Sequence, residues 1–249
     1  MKGSYLGIGY LGLIILLCVG SHEAFAHARH YAFTEEYKTL PQNSFEIESR
    51  TSLDVPDHHV TNANTWEYQQ EVEYGVTDHL TVAHYELWDT ENTRDEKDVT
   101  RYKAFKFETK YRIAETGKYW LDPLLYLEWE TEPREKDNPN TIEGKIVLSK
   151  NLGRFNVSYN QIMESKLGEG GRTEHEYAIG VNYEILDAVH VGVEAKGQYW
   201  NPGSRRNEIA LGPAISYEGK YMWVSIGCLF GVNHATDDFN PRVTAGIPF

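Results

Sequence analysis

The chain has 249 residues, and its 24 Lys and Arg against 37 Asp and Glu give a formal net charge of −13 at pH 7. Binding to a nucleic-acid backbone depends on a positively charged surface, so this balance excludes nucleic acid as a partner. Mean hydropathy is −0.54, yet 13% of the residues are aromatic. This combination is typical of membrane barrels whose strands alternate an apolar row with a polar row.

The first 26 residues predict a cleaved secretory signal peptide. Lys2 gives a basic start, an apolar run extends from Leu11 to Val19, and Ala24-Phe25-Ala26 fits the small-x-small cleavage rule. A membrane anchor would need about 20 apolar residues, and a lipoprotein linked through Cys18 would have a small residue where Leu17 stands. Residues 1–26 are therefore predicted to direct export and to be removed.

Residues 44–249 alternate apolar and polar side chains in steps of two, the period of a β-strand. Within one segment, for example, Phe105 and Phe107 share one face while Lys106 and Glu108 share the other. We therefore predict an all-β protein, a single transmembrane antiparallel β-barrel of about 12 strands with 10 or 14 as alternatives, preceded by a periplasmic N-terminal tail at 27–43. The twelve segments lie near 44–54, 64–74, 79–88, 100–113, 118–131, 141–150, 154–164, 173–185, 188–200, 206–217, 220–231 and 239–249.

The connections between these segments alternate in length. Short turns such as Gly75–Asp78, Glu115–Gly117 and Glu218–Gly219 follow the even-numbered segments, whereas polar loops such as Asp89–Asp98 and Glu132–Asn140 follow the odd-numbered ones. Outer-membrane barrels have short periplasmic turns and longer extracellular loops. The chain is therefore predicted to lie in the bacterial outer membrane of a Gram-negative cell, with both termini in the periplasm.

The last segment ends in an apolar row of alternate residues, Val243, Ala245, Ile247 and Phe249. This row resembles the sorting signal by which the barrel-assembly machinery recognises outer-membrane proteins, although Ile247 stands where an aromatic residue is common. We therefore expect that machinery as a partner, together with outer-membrane lipid and lipopolysaccharide.

The stretch Glu73-Tyr74-Gly75-Val76-Thr77-Asp78-His79-Leu80 resembles a hairpin of uncharacterised porin-like and transporter-like barrels of Gram-negative outer membranes, some of them encoded near phenol-degradation genes. The resemblance covers this hairpin and the general plan of the chain. It implies the barrel fold and transfers no site residues.

The polar row of each strand would face the barrel lumen, and it carries more acids than bases. A water-filled lumen of this kind would favour cations over anions; alternatively, the charges pair across strands and fill a closed interior. The segments 79–88 and 220–231 alternate least clearly, and the first of them places Glu86 on the same face. The candidate pore-lining residues are Glu46, Glu48, Arg50, Glu67, Glu71, Glu73, Lys106, Glu108, Lys110, Arg112, Glu128, Glu130, Glu143, Lys145, Glu174, Glu176, Glu194 and Lys196.

The sequence therefore predicts a porin-like channel or binding barrel for small cationic or neutral solutes, without a cofactor. One alternative is a structural or loop-presenting barrel with a plugged lumen. Another is an outer-membrane lipid hydrolase with Ser and His on its outer wall. His175 phases with a lipid-facing row, but the chain has no Gly-x-Ser-x-Gly motif, so an enzyme is not the prediction.

Histidines near the predicted mature N-terminus are the candidate metal ligands. If cleavage falls after residue 26, His27 offers both its amine and its ring to a metal ion, and His30 lies nearby. Asp57, His58 and His59 lie in the first long loop. Polar residues are expected in a loop that contacts solvent, so these residues do not by themselves indicate a metal site. Acidic extracellular loops could also hold divalent cations that bridge lipopolysaccharide phosphates.

Overall fold

The structure is a computed structural model that describes residues 28–60, 63–92, 99–136, 139–169, 171–199 and 207–249, so the predicted signal peptide and His27 lie outside the described residues. Twelve antiparallel strands form a closed barrel in which β1 pairs with β12, and the predicted fold and strand number are confirmed. No helix in the described ranges is long and apolar enough to cross a membrane. The strands are β1 (Phe45–Asp54), β2 (Asn64–Thr77), β3 (Leu80–Asn92), β4 (Thr100–Arg112), β5 (Asp122–Thr131), β6 (Asn140–Leu152), β7 (Phe155–Leu167), β8 (Thr173–Leu186), β9 (Val189–Tyr199), β10 (Glu208–Glu218), β11 (Trp223–Gly231) and β12 (Phe239–Pro248).

The two ends of the barrel differ in the length of their connections. At the short-turn end, residues 78–79 join β2 to β3 and residues 187–188 join β8 to β9; at the long-loop end, residues 55–63 join β1 to β2. The barrel also closes at the short-turn end, where Phe45 N donates to Phe249 O at 3.3 Å and Phe249 N donates to Phe45 O at 2.8 Å. The C-terminal residue is therefore part of the seam between the first and last strands.

The connection between β4 and β5 is longer than the predicted three-residue turn. It covers residues 113–121 because β5 begins at Asp122 rather than near residue 118. Asp122 Oδ1 accepts a hydrogen bond from Gly117 N at 2.6 Å, and Gly117 has a φ of 79°, a conformation that glycine adopts without strain. The side chain of Asp122, the first residue of β5, thus closes this turn.

Outward-facing side chains form a largely apolar belt, because successive residues of a strand point to opposite faces. Polar groups interrupt the belt on β1 to β3, where Gln70 Nε2 donates to Ser49 Oγ at 2.7 Å and His84 Nε2 lies 3.0 Å from Glu86 Oε1. Exposed members of the belt include Ile47, Val72, Phe107, Leu125, Leu127, Ile146, Phe155, Ile179, Val193, Ile215, Ile226, Phe230, Val243, Ile247 and Phe249.

The assignment of Glu86 to the lumen is wrong, because β3 has its alternation inverted. Its inward row is apolar: Ala83, Tyr85 and Leu87 are buried together with Ala104 of β4. Its outward row carries the polar pair of His84 and Glu86. An assignment that placed every polar residue inside therefore fails on this strand.

Candidate functional site in the barrel lumen

Residues 28–40, which we call the lumenal segment, lie inside the barrel, and residues 41–43 are exposed at the short-turn end. A tail in the periplasm was predicted for this stretch, and the structure differs because these residues find partners on the inward faces of the strands. Tyr31 and Leu40 are each only 1% exposed. Leu40 N donates to Thr81 Oγ1 at 2.8 Å near the short-turn end, and deeper in the barrel Glu35 N donates to Asn160 Oδ1 at 2.6 Å. The segment therefore enters at the short-turn end and occupies the lumen.

Arg29 anchors the lumenal segment to the acidic wall formed by β1 and β2. Its guanidinium lies 2.9 Å from Glu48 Oε1, 3.3 Å from Glu73 Oε1 and 3.7 Å from Glu71 Oε1. A fourth carboxylate, that of Glu35 in the segment itself, lies 3.2 Å away. The buried guanidinium of Arg29 thus offsets the mutual repulsion of several buried carboxylates. Burial of the guanidinium alone or of the carboxylates alone would be unfavourable.

Glu194 of β9 holds the turn of the lumenal segment on the opposite wall. Its carboxylate accepts three backbone hydrogen bonds, from Ala32 N at 2.7 Å, Phe33 N at 2.9 Å and Thr34 N at 2.7 Å. Hydrogen bonds to a charged acceptor are stronger than those between neutral groups. The segment is therefore fixed by its backbone here and by the Arg29 side chain across the lumen.

Small residues on the inward faces of β8 to β11 make room for the segment. A Cβ added to Gly180 would lie 2.4 Å from Tyr31 Cε1, and one added to Gly227 would lie 2.6 Å from Ala32 Cβ. Tyr31 Oη donates to the side-chain oxygen of Asn156 at 2.8 Å. The wall and the segment are thus complementary in shape. The small inward residues are Ala178, Gly180, Gly192, Gly212, Ala214 and Gly227.

Replacing Gly180 with Ala is expected to weaken the seating of the segment without disturbing the barrel. The new Cβ would overlap the Tyr31 ring, and overpacking of this kind typically costs about 1–3 kcal/mol. Gly144→Ala is the matched control, because an added Cβ there meets no atom within 4 Å. Limited proteolysis of residues 28–40 in the folded barrel should be faster for Gly180→Ala and unchanged for Gly144→Ala; equal behaviour would contradict this role of Tyr31.

Tyr37 of the segment fills an apolar pocket in the lumen. It is buried with Leu124 and Tyr126 of β5 and Val147 of β6, and its hydroxyl donates to Ala114 O. Burial of an aromatic ring contributes about 1.5–3 kcal/mol relative to exposure. The segment is thus held by apolar as well as charged contacts.

His30 lies in the lumen between charged groups near the short-turn end. Its Nδ1 is 3.1 Å from Glu36 Oε1, its Nε2 is 3.4 Å from Glu218 Oε2, and its ring stacks on His190 at 3.8 Å between centroids. Burial lowers the pKa of His30, but the carboxylates of Glu36 and Glu218 together outweigh burial and the pKa is raised. Both ring nitrogens thus lie beside carboxylates, and metal binding with His27 stays a prediction.

The candidate pore-lining residues all lie on the inward faces of their strands, as the strand registers place them. Twelve of these residues are Glu and six are Lys or Arg. The structure brings Glu48, Glu71 and Glu73 together around Arg29. Glu174, Glu176 and Lys196 lie nearer the long-loop end, where Glu176 and Lys196 line a cavity together with Phe33 of the lumenal segment.

Five glutamates form a continuous row across five neighbouring strands. Glu108 is paired with Glu128, Glu128 with Glu143, Glu143 with Glu164, and Glu164 with Glu174. We call these residues the glutamate row. Like charges directly opposite each other on a sheet are destabilising. Lysines offset the first three members: Lys110 lies 2.9 Å from Glu108, Lys106 lies 3.0 Å from Glu128 and Lys145 lies 3.0 Å from Glu143.

Two cavities lie on opposite sides of the lumenal segment. One of about 210 Å³ faces the short-turn end and is lined by His30, Tyr37 and Asn156 among others. The other, of about 190 Å³, faces the long-loop end and is lined by Phe33 and Arg242 among others. The segment therefore separates two polar vestibules.

Two further histidine groups lie outside the lumen. His175 of β8 faces Met163 and Tyr199 on its neighbouring strands, and neither side chain is a nucleophile of the serine type, so this position does not support the hydrolase alternative. In the first long loop, ligand atoms of an exposed Asp-His-His group lie within 4.8 Å of one another. His58 Nδ1 there lies 2.5 Å from Asp238 Oδ2 and joins this loop to the last one.

Comparison with known proteins defines the class of fold. No protein-family model and no curated protein matches the sequence. An outer-membrane channel from Pseudomonas putida F1 is 9% identical with a TM-score of 0.61, covering 86% of this chain and 98% of that chain. The KdgM porin in complex with disordered oligogalacturonate is 10% identical with a TM-score of 0.55, covering 82% and 98%, and the NanC porin is 12% identical with a TM-score of 0.54, covering 82% and 98%. The chain thus has the fold of outer-membrane porins and channels, and the predicted fold-level resemblance is confirmed.

Sequence reasoning missed the residues that hold the lumenal segment. Arg29 and Tyr31 precede the first strand, where no periodic pattern identifies a partner. Gly180 carried a usable signal, because it stands on a polar row that holds long side chains such as Glu174 and Glu176 elsewhere. Glu164 was also missing from the candidates, although it belongs to the same alternating segment as Asn160.

Proposed function

We propose that the protein is a porin-like channel of the bacterial outer membrane that passes small cationic or neutral solutes, and that the lumenal segment closes it. The observation that carries this proposal is the glutamate row. A lumen lined by neighbouring carboxylates focuses a negative potential, which raises the local concentration of cations and lowers that of anions. The short-turn end is then periplasmic and the long-loop end extracellular, as in other barrels of this kind.

The position of Arg29 supports a cationic solute. Its guanidinium occupies the space between Glu48, Glu71 and Glu73. When the segment leaves, Glu48 and Glu71 lose their partner while Glu73 keeps Lys110 at 3.0 Å, and a mobile cation gains a favourable position among these carboxylates. The groups that hold the channel closed are thus the groups that attract a cation when it is open.

A structural barrel with a permanently plugged lumen is the second candidate. The extensive burial of the segment, with Tyr31 and Leu40 among its most buried residues, favours this alternative. The two candidates differ in whether the segment leaves the lumen under any condition. Current through the full chain separates them.

Planar-bilayer recordings of the detergent-folded chain test the proposed function. In a KCl gradient we expect a reversal potential that indicates preference for K⁺ over Cl⁻. This preference should fall in the double variant Glu164→Gln/Glu174→Gln, because these two members of the glutamate row form no ion pair with any described residue. The variant removes negative charge at the extracellular end of the row.

A matched control removes two charges outside the lumen. Glu115→Gln/Asp187→Asn does so at the short-turn end, where the side chains of Glu115 and Asp187 are well exposed, and it should leave the reversal potential unchanged. A preference for Cl⁻ would contradict the proposed solute charge. Folded protein that passes no current even without the lumenal segment would contradict the channel itself.

A further inference from the structure

Two inward-facing arginines lack a carboxylate partner. Arg50 of β1 and Arg242 of β12 form no ion pair within the described ranges, and Nε of each is buried without a hydrogen-bond acceptor. A buried guanidinium without an anion is unfavourable, and acids outnumber bases in this lumen. Other lumen cations are paired: Arg29, Lys103, Lys106, Lys110, Lys145 and Lys196.

The two arginines are close neighbours. Arg50 is paired with Thr244, and Ser52 is paired with Arg242, so the arginines are diagonal neighbours on one face of adjacent strands, roughly 7–8 Å apart at the backbone. Two guanidinium groups at this separation repel each other, and an anion placed near both would be stabilised. Arg50 and Arg242 therefore place two neighbouring cations, neither of them in an ion pair with a described residue, at the seam between β1 and β12.

Arg242 lines the cavity of about 190 Å³ between the lumenal segment and the long-loop end. Its Nη1 donates to Ala32 O at 3.3 Å, and its guanidinium carbon lies 4.4 Å from the centre of the Phe33 ring. These contacts fix the plane of the guanidinium against the turn of the segment. The same cavity is lined by Glu208 and Asp237, which form no ion pair with any residue that the structure describes.

We propose that this cavity binds a small ampholyte, a solute that carries one carboxylate and one ammonium group. The carboxylate lies on Arg242 with Arg50 nearby, since the planar guanidinium fork matches carboxylate geometry. The ammonium lies on Glu208 and Asp237. The cavity volume of about 190 Å³ is smaller than the roughly 300–1,000 Å³ of typical ligand pockets, which restricts the solute to a few carbon atoms. The inference rests on the proposed channel function, because the cavity lies on the extracellular side of the closing segment.

Isothermal titration calorimetry on the detergent-folded full chain tests the site with 4-aminobutyrate and 6-aminohexanoate. The matched probes carry a single charge. Butyrate and hexanoate carry only the carboxylate, and butylamine and hexylamine carry only the ammonium group. We expect at least one ampholyte to bind, and its single-charge analogues to bind about 10- to 100-fold more weakly, since each loses hydrogen bonds to a charged group. No detectable binding of either ampholyte would overturn the proposal.

Substitutions assign the two halves of the site. Arg242→Gln should weaken binding of the ampholyte and leave binding of the amine probes unchanged. Glu208→Gln/Asp237→Asn should also weaken binding of the ampholyte, but it should leave binding of the carboxylate probes unchanged. Because Arg242 also contacts the lumenal segment, Arg50→Gln is the second variant and should weaken ampholyte binding as well. Arg154→Gln, which removes a cation at the short-turn end, is the control, and an effect equal to that of Arg242→Gln would overturn the site.

Equilibrium binding needs no current, so the two proposals fail separately. An ampholyte that binds to a barrel that never conducts would refute the channel and keep the site. A cation-selective channel to which neither ampholyte binds would refute the site alone.

Discussion

Deleting residues 28–39 should convert a closed channel into an open one. Single-channel recordings of the full chain are expected to show rare openings, whereas the deletion variant should show long-lived steps, because the segment separates the two vestibules of the lumen. The deletion keeps all strands, and Asn43 keeps its backbone hydrogen bond to Gly75 O at 2.8 Å. Preference for K⁺ over Cl⁻ should persist, because the glutamate row lies on the strands.

A Gly-Ser sequence of the same length is the matched control for the deletion. It keeps the chain length and loses the contacts of Arg29, Tyr31 and Tyr37. If those contacts close the lumen, the replacement should conduct almost as well as the deletion. Heat-modifiable migration on a gel confirms that each variant is folded. A replacement that stays closed would mean that any chain of this length obstructs the lumen, and a deletion variant without currents would contradict the role of the segment.

The faces of the strands were predictable because the backbone fixes them. A period of two decides which side chains point inward, so Glu46, Glu128 and Lys196 could be assigned to the lumen without knowledge of any contact. The same reasoning failed at Glu86, because there the apolar residues pack inward and the polar pair faces outward. Alternation identifies the two faces of a strand, and only a three-dimensional neighbour decides which of them is buried.

The lumenal segment could not be placed by such reasoning. Its contacts join residues far apart in the chain, as between Ala32 and Glu194 or between Arg29 and Glu73, and no local pattern encodes them. The signal that existed was on the barrel: an excess of inward acids on β1 and β2, and glycines such as Gly180 on the opposite wall. An acidic wall facing a wall of small residues implies an occupant with a cation on one side and bulk on the other.

Replacing Arg29 with Ala is expected to open the channel almost as far as removing the whole segment. The change leaves Glu48 and Glu71 buried beneath the segment without their cation, while Glu73 keeps Lys110 at 3.0 Å. Removing one partner of a buried ionic cluster typically costs about 3–5 kcal/mol, which corresponds to roughly 10²- to 4 × 10³-fold in the closed-to-open equilibrium. The open state avoids this cost, because water and mobile cations then reach the carboxylates. Open probability in single-channel recordings measures the shift.

Two further variants separate charge from shape at this position. Arg29→Lys keeps the charge but cannot reach all the carboxylates with one ammonium group, so its open probability should lie between those of the wild type and Arg29→Ala. Arg154→Ala, at the exposed short-turn end, should resemble the wild type.

High concentrations of a divalent cation should also raise the open probability of the wild type, because the ion competes with Arg29 for the same carboxylates. If Arg29→Ala stays closed while the deletion of residues 28–39 conducts, the segment is held by Glu194 and Tyr37 instead, and the acidic wall has no part in closing the channel.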